Sequence, residues 1–259
     1  MKSNFAAKVF LFCGMLFLFF SCKKEENKPK PLAPNTAGVV LTFDDSYVAD
    51  WVVLDKQMRP YSWKATFCVS NLTTLSLSEI NGLLALENEG HEIAGHSVNH
   101  HNAAQFVAQH GIDQYLRQEV NPMLALMDFY GLKATAYAYP YGARSAALDT
   151  ALLKKFKILR GTVYGAKKPS QRNFYFDHSK VVYGFGMDAN YGYFSIPHVL
   201  KLLDYAKKNN KILIVVGHKP VKKITSRYQT KTKTVALICK YVQQNHMKFY
   251  TLSELYDLK

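Results

Sequence analysis

"VVLTFDDSYVADW", residues 39–51, decides how this chain is read. Apolar and β-branched residues from Val39 to Phe43 run without a break into two adjacent carboxylates, Asp44 and Asp45. A short run that is apolar on both faces is the pattern of a strand buried in a parallel sheet. Neighbouring acids repel, so ending such a strand on a like-charged pair needs a reason. Either the strand meets solvent there and two acids cost little, or a cation or a proton-transfer task needs both.

Working outward, strand-like and helix-like segments alternate. Residues 38–43 and 64–70 read as buried strands, and 91–96 as a short one. Residues 76–90 read as a helix with Ser76 or Ser78 as its cap and Gly90 as its stop. Residues 111–131 have helical periodicity, with Pro122 tolerable only at a boundary or kink. The alternation continues through 134–142, 148–156, 157–163, 195–210, 211–218 and 232–246, followed by "KFYTLSEL". This repetition predicts an α/β fold, a parallel sheet covered by helices. Polar signals gather where strands end: the Asp pair, His96 after "EIAG", "YPYG" after "ATAYA", and His218 after "ILIVVG". In barrels of this kind the reaction centre lies at the C-terminal ends of the strands.

The flanks set an expected address. In residues 1–22, Lys2 and Lys8 sit at or before an apolar run too short for a comfortable membrane span, the layout of a bacterial export signal. It ends on "FFSC", similar to a loose lipobox with Cys22 as the residue to be lipidated; an ordinary signal or an uncleaved anchor is the alternative. "KKEE" after it resembles the acidic export tag of some surface lipoproteins. The expectation is an exported chain, lipid-anchored to the cell envelope at the outer membrane and surface-exposed. Residues 23–37, charged and Pro-rich, read as a tether, and 38–259 as one domain of a size typical of an α/β barrel or a large sandwich.

The formal charge of +14 falls to +12 once Lys2 and Lys8 leave with the signal. Much of the excess lies in lysine pairs, in "AKKP" (166–169), "AKKNNK" (206–211) and "VKKITSRYQTKTK" (221–233). Basic surfaces attract nucleic acid, anionic lipid or acidic glycan. For an exported chain nucleic acid ranks last, and most of these lysines are expected to be solvated. Cys13 and Cys22 belong to the signal, which leaves Cys68 and Cys239 as two small buried thiols rather than a disulfide. With no CxxC pair, a thiolate zinc site is not expected.

"HEIAGHSVNHH" (91–101) has the sharpest spacing. If the turn from His96 to His100 is helical, both rings project from one face, roughly 5–6 Å apart at Cβ. Two imidazoles and one carboxylate make the three-ligand, open-position site of a catalytic metal. The bland alternative is a His-rich loop satisfying local hydrogen bonds. His91 and His101 read as bystanders.

Together these stretches resemble the polysaccharide deacetylases of the NodB-homology type, carbohydrate esterase family 4. "TFDD" (42–45), "HSVNH" (96–100), "AYPYG" (138–142) and "IVVGH" (214–218) are similar to its first, second, third and fifth motifs, and the resemblance spans about 38–220. It implies a distorted (β/α) barrel. It implies a divalent metal on Asp45, His96 and His100, zinc first, with cobalt, nickel or manganese as alternatives. Asp44 would be the general base, His218 the general acid, and the backbone N–H of Tyr141 the oxyanion donor. The cation would neutralise Asp45, leaving Asp44 ionised and basic enough to take a proton.

Two departures stand out. The third motif usually opens on an arginine that orients the base, and here that position is Ala138. The fourth motif, which supplies an aspartate near the acid histidine, has no clean match. Arg160 in "KILRGTV" is a candidate to replace the arginine from a neighbouring strand, and Asp188 in "GMDANYG" to support His218, a structural role being the alternative for each. Among the aromatics, Tyr141 and Tyr139 are the candidate sugar contacts. The expected function is metal-dependent removal of N- or O-linked acetyl groups from an acetylated polysaccharide. The alternatives are an acetyl xylan-type esterase and a glycan-binding pseudoenzyme.

Overall fold

The computed structural model describes residues 36–163 and 173–258. The residues expected to form an export signal, with Cys22, those expected to form a tether, up to residue 35, and the lysine pair at 167–168 lie outside the described residues.

Seven strands form the frame: β1 (Gly38–Asp45), β2 (Thr66–Val69), β3 (Glu92–Gly95), β4 (Ala136–Ala138), β5 (Ile158–Val163), β6 (Val181–Gly186) and β7 (Ile212–Gly217). They pair in chain order, all parallel, and β7 pairs again with β1, which closes a barrel. Two short strands, β8 (Lys219–Val221) and β9 (Gln229–Lys231), pair with each other just beyond β7. The distortion has a specific source. β10 (Lys248–Tyr250) pairs with Gly38–Val40 of β1, and β2 pairs only with Thr42–Asp45, so two strands share one edge of β1.

Helices α1 (Val48–Met58), α2 (Leu77–Asn88), α3 (Ala103–His110), α4 (Ile112–Tyr115), α5 (Asn121–Phe129), α6 (Ala146–Leu152), α7 (Ile196–Lys208), α8 (Thr232–Gln244) and α9 (Leu252–Asp257) accompany the strands. Ser76 caps α2 in a reciprocal pair with Glu79, and Gly90 follows its end with φ +91°, a conformation that favours glycine. The helix expected over 111–131 is interrupted. A π-type turn, Leu116–Val120, separates α4 from α5, and Pro122 lies in the first turn of α5, where its missing N–H is harmless. The alternation read from sequence did not single out α1, α3 or β6; in β6, Gly184 and Gly186 dilute the strand signal.

Strand periodicity sorts side chains into two cores. Val39, Leu41 and Phe43 join the large cluster between strands and helices, whereas Val40, Cys68, Ala94, Ala136, Ala138, Ile158, Val182, Ile212 and Ile214 form the second cluster, which fills the bore. Cys68 and Cys239 are buried free thiols. Leu252 and Leu255 of α9 join the bore cluster, so that helix closes the barrel at its lower end. Chemistry is left to the opposite end, where β1, β3, β4 and β7 terminate.

Candidate active site

Asp45, His96 and His100 converge at that end, with one ligand atom from each lying within 4.8 Å of the others. His100 Nε2 is 3.2 Å from Asp45 Oδ1 and 3.2 Å from His96 Nε2, and His96 Nε2 is 3.7 Å from Asp45 Oδ1. A tetrahedral ion with bonds near 2.1 Å holds its donors about 3.4 Å apart, so these spacings fit one divalent cation. The donor chemistry fits as well. His96 Nδ1 is 2.8 Å from the carbonyl oxygen of Ala138 and donates to it, which leaves Nε2 as the lone-pair nitrogen facing the cluster.

The opening stretch now has its geometric answer. Adjacent strand residues normally point to opposite faces. Asp45 escapes this because its φ is +84°, and it shares the pocket with Asp44. The turn from His96 to His100 is not helical, contrary to the condition under which the spacing was read. Ser97 and His100 both take left-handed backbone, and Ser97 Oγ accepts the His100 N–H at 2.9 Å. Such conformations each cost about 1–3 kcal/mol and persist only where surroundings impose them.

What imposes this one is Glu119, which sequence reasoning missed. Fully buried in the π-type turn, it accepts the Asn99 backbone N–H at 3.0 Å, the Asn99 side-chain amide at 2.8 Å and His101 Nδ1–H at 2.6 Å. Its backbone carbonyl takes the Val98 N–H. His101, read as a bystander, thus helps to clasp the ligand loop. The available signal was a carboxylate at four-residue spacing between the buried Tyr115 and Met123.

Asp44 is 3% exposed and paired with Arg160, whose Nη2 lies 2.5 Å from Oδ1. Burial alone would raise the Asp44 carboxyl; the Arg160 guanidinium, with His96 and His218, holds it below the usual range. Ala138 and Arg160 are lateral partners on β4 and β5. The small side chain at 138 leaves the bore open for a guanidinium from the next strand. Gly184 on β6 answers to a different neighbour, since a Cβ there would stand 2.2 Å from Val216 of β7 and only in ordinary contact, 3.6 Å, with Arg160 Cδ. Burial also raises Asp45, but the His100 hydrogen bond and the nearby imidazoles lower it to about 2, while burial depresses His96 to about 4.

On the far side of the pocket, His218 Nδ1 donates to Asp188 Oδ2 at 2.5 Å. Asp188 is fully buried; its Oδ1 accepts the His218 backbone N–H at 3.1 Å and the Thr230 hydroxyl at 2.5 Å. Burial would lower the His218 pKa, but the Asp188 hydrogen bond and charge, with Asp44 and Asp45, lift it to about 9. The imidazolium is therefore the neutral-pH form, with Nε2–H left as its second donor.

These groups line a cavity of about 230 Å³ together with Tyr141, Gly142, Thr162, Tyr191 and Tyr228. Tyr141 is exposed, with φ +58°, and its ring meets His100 edge-on at 4.7 Å. Tyr139 is not a pocket residue: it is fully buried and donates to Asp149 Oδ1. The aromatic partners of Tyr141 at the mouth are instead Tyr191 and Tyr228, the latter with its ring 5.1 Å from that of His218.

Residues 33–158 match the family model for polysaccharide deacetylase. Among solved structures, the chain is similar to the peptidoglycan deacetylase PdaC from Bacillus subtilis, with a TM-score of 0.54 and 18% identity over 88% of this chain and 93% of that one. It is similar to the catalytic domain of a peptidoglycan N-acetylglucosamine deacetylase from Eubacterium rectale (0.52, 18%, 87% and 93%). It is also similar to a family 4 acetyl xylan esterase from Clostridium thermocellum in complex with a cobalt ion (0.53, 18%, 85% and 90%). At these identities the likeness is one of fold. Comparison with curated proteins finds no match.

Proposed function

We propose that this chain, whose residues 33–158 match the polysaccharide deacetylase family model and whose closed (β/α) barrel has the fold of such enzymes, is a metal-dependent hydrolase removing N- or O-linked acetyl groups from a polysaccharide at the cell envelope. The observation that carries the reading is the convergence of Asp45, His96 and His100, flanked by Asp44 and His218 in one pocket.

Asp45, His96 and His100 would hold a divalent cation, zinc being the first candidate for a His₂Asp donor set. When bound, such an ion supplies Lewis acidity and hydroxide at neutral pH. The rest falls to the chain's own side chains. Arg160 occupies Asp44 Oδ1 and fixes the carboxylate, leaving Oδ2, 3.9 Å from His96 Nε2, to accept the proton of the attacking water. The backbone N–H of Tyr141 stabilises the charge that develops on the acyl oxygen; a donor of that kind typically contributes about 2.7–4 kcal/mol. His218, held protonated by Asp188, delivers its Nε2 proton to the departing amine or alcohol. Acetate and a free amine or hydroxyl result, and solvent returns one proton from Asp44 to His218.

The Arg160–Asp44 pair favours an enzyme over a binding-only relic, because it supplies the guanidinium missing at position 138. The export signal and Cys22 support a lipid-anchored address. The test is metal content by elemental analysis, with acetate release from acetylated chito- and xylo-oligosaccharides. Acetate release that needs the metal supports the proposal and separates amide from ester substrates. Metal without any acetate release sinks it.

A further inference from the structure

The segment from Lys219 to Lys233, "KPVKKITSRYQTKTK", has six cations and no acid in fifteen residues, against 33 cations in the 259 of the whole chain. That is about three times the mean density. Lys219 is 3.6 Å from Asp50. Lys222, Lys223, Arg227, Lys231 and Lys233 are exposed and in no ion pair among the described residues. Arg59, Lys64, Arg144, Lys157 and Arg160 have carboxylate partners, whereas exposed lysines elsewhere, such as Lys133, Lys201 and Lys240, are also in no ion pair among the described residues, so density rather than lack of partners sets this segment apart. An unneutralised cluster repels itself and raises the local concentration of anions.

This cluster is held in place and set against the pocket. Gln229 Oε1 accepts the backbone N–H of Thr225 at 2.7 Å and of Ser226 at 3.1 Å. Asn190 Oδ1 accepts the Tyr228 N–H at 2.7 Å, and β8 pairs with β9 at the base of the turn. Thr230 bonds the same Asp188 that supports His218. The Arg227 guanidinium lies 5.6 Å from the Tyr228 ring, which in turn lines the cavity beside His218. The turn therefore borders the side of the pocket from which His218 would protonate the leaving sugar.

Resting on the deacetylase reading, we propose that the substrate is an acetylated glycan bearing carboxylates, and that the turn from Lys219 to Lys233 is the subsite for them. Tyr228 offers a flat apolar face to a sugar ring, and Arg227, Lys222 and Lys223 meet charge on that ring or its neighbour. An anionic lipid surface would satisfy the charge alone; continuity with the catalytic pocket is what selects a glycan.

The test compares acetate release by the metal-loaded chain from acetylated oligogalacturonate, its methyl-esterified neutral form, and acetylated xylo- and chito-oligosaccharides, at low and high salt. Calorimetry with unacetylated oligogalacturonate reads binding independently of turnover. A variant with Lys222→Gln, Lys223→Gln and Arg227→Gln is measured alongside. The expected result is tighter binding and a lower KM for the charged glycan, a gap that closes as salt screens it. The triple variant should raise that KM roughly 5–30-fold, the scale of three exposed charge contacts, and leave kcat and the neutral substrates unchanged. Equal KM for charged and methyl-esterified glycan, with no binding of oligogalacturonate, overturns the subsite while leaving the deacetylase reading intact. Binding of oligogalacturonate without acetate release from any substrate supports the subsite and removes the enzyme reading. Charge-dependent binding to phosphatidylglycerol vesicles with no glycan preference gives the patch to a membrane and overturns it.

Discussion

Arg160 Nη2 lies 2.5 Å from Asp44 Oδ1, a contact made inside the barrel between β5 and β1 with both side chains buried. Removing one partner of a buried pair leaves an uncompensated charge, at about 3–5 kcal/mol. Arg160→Ala is expected to lower the midpoint of thermal unfolding and to slow acetate release by about 10–100-fold, the usual scale for a group that orients a reacting one. Because Ala138 is the lateral neighbour of Arg160, Arg160→Ala combined with Ala138→Arg should recover part of both losses. A double variant that folds and binds metal but is no faster than the single one would show that Arg160 serves only the barrel's packing.

Glu119 makes a second prediction. It fastens Asn99 and His101 on either side of His100, so its removal frees the loop that presents one ligand. Glu119→Ala should weaken metal affinity by about 10–100-fold while the barrel stays folded. Glu119→Gln, which keeps an acceptor oxygen, should retain more. The measurement is competition with a coloured chelator on the apo chain, which needs no turnover. Unchanged affinity in Glu119→Ala would mean that the loop holds itself.

These two residues mark the boundary of what the sequence made legible. Asp44, Asp45, His96 and His218 could be placed because strand ends are readable from apolar runs, and a closed parallel barrel brings strand ends together. Arg160 could be nominated for the same reason, being a charge in an otherwise apolar strand. Glu119 could not. Its role depends on a π-type turn that points a helix residue at a distant loop, and no local pattern announces such a turn. Tyr139 was misjudged because "AYPYG" does not say which tyrosine faces out. Strand alternation and the Asp149 hydrogen bond bury Tyr139, while a left-handed turn expels Tyr141. β6 stayed hidden because two glycines, one of them making room for Val216, thinned its apolar run.

His96 and Asp44 should separate metal binding from turnover. His96→Ala removes a donor whose lone pair is aimed by the Ala138 carbonyl, and both metal content and acetate release should disappear. Asp44→Asn keeps the shape and the three donors but loses the base, so metal stays and turnover falls by about 10²–10⁴-fold. Full metal occupancy in His96→Ala would contradict the ligand assignment.

The proposed address is tested without any enzymology. Cys22→Ser in the full chain, expressed in a host that lipidates such signals, should end incorporation of labelled palmitate and leave residues 1–22 uncleaved, read as a heavier chain by mass spectrometry. A native chain that takes up no palmitate and keeps residues 1–22 would favour an uncleaved anchor over a lipid.

His218 and Asp188 carry a pH dependence whose sign is fixed by the geometry. Burial alone would push the imidazole below its ordinary 6.5, yet the Asp188 hydrogen bond and charge, with Asp44 and Asp45, lift it to about 9. A folded-state pKa above the unfolded one means that the charged pair stabilises the chain fully below pH 6.5 and progressively less as pH rises through 9. The same proton is the one His218 would donate, so the alkaline limb of kcat/KM should follow it. In Asp188→Asn that limb should move down by about 1–3 pH units. The difference in thermal midpoint between native chain and variant should be widest below pH 6.5 and narrow towards pH 9. A remainder should persist at every pH, because Asp188 also holds the His218 backbone and Thr230. An alkaline limb unmoved by the substitution would exclude His218 as the proton donor, even if the variant were less stable.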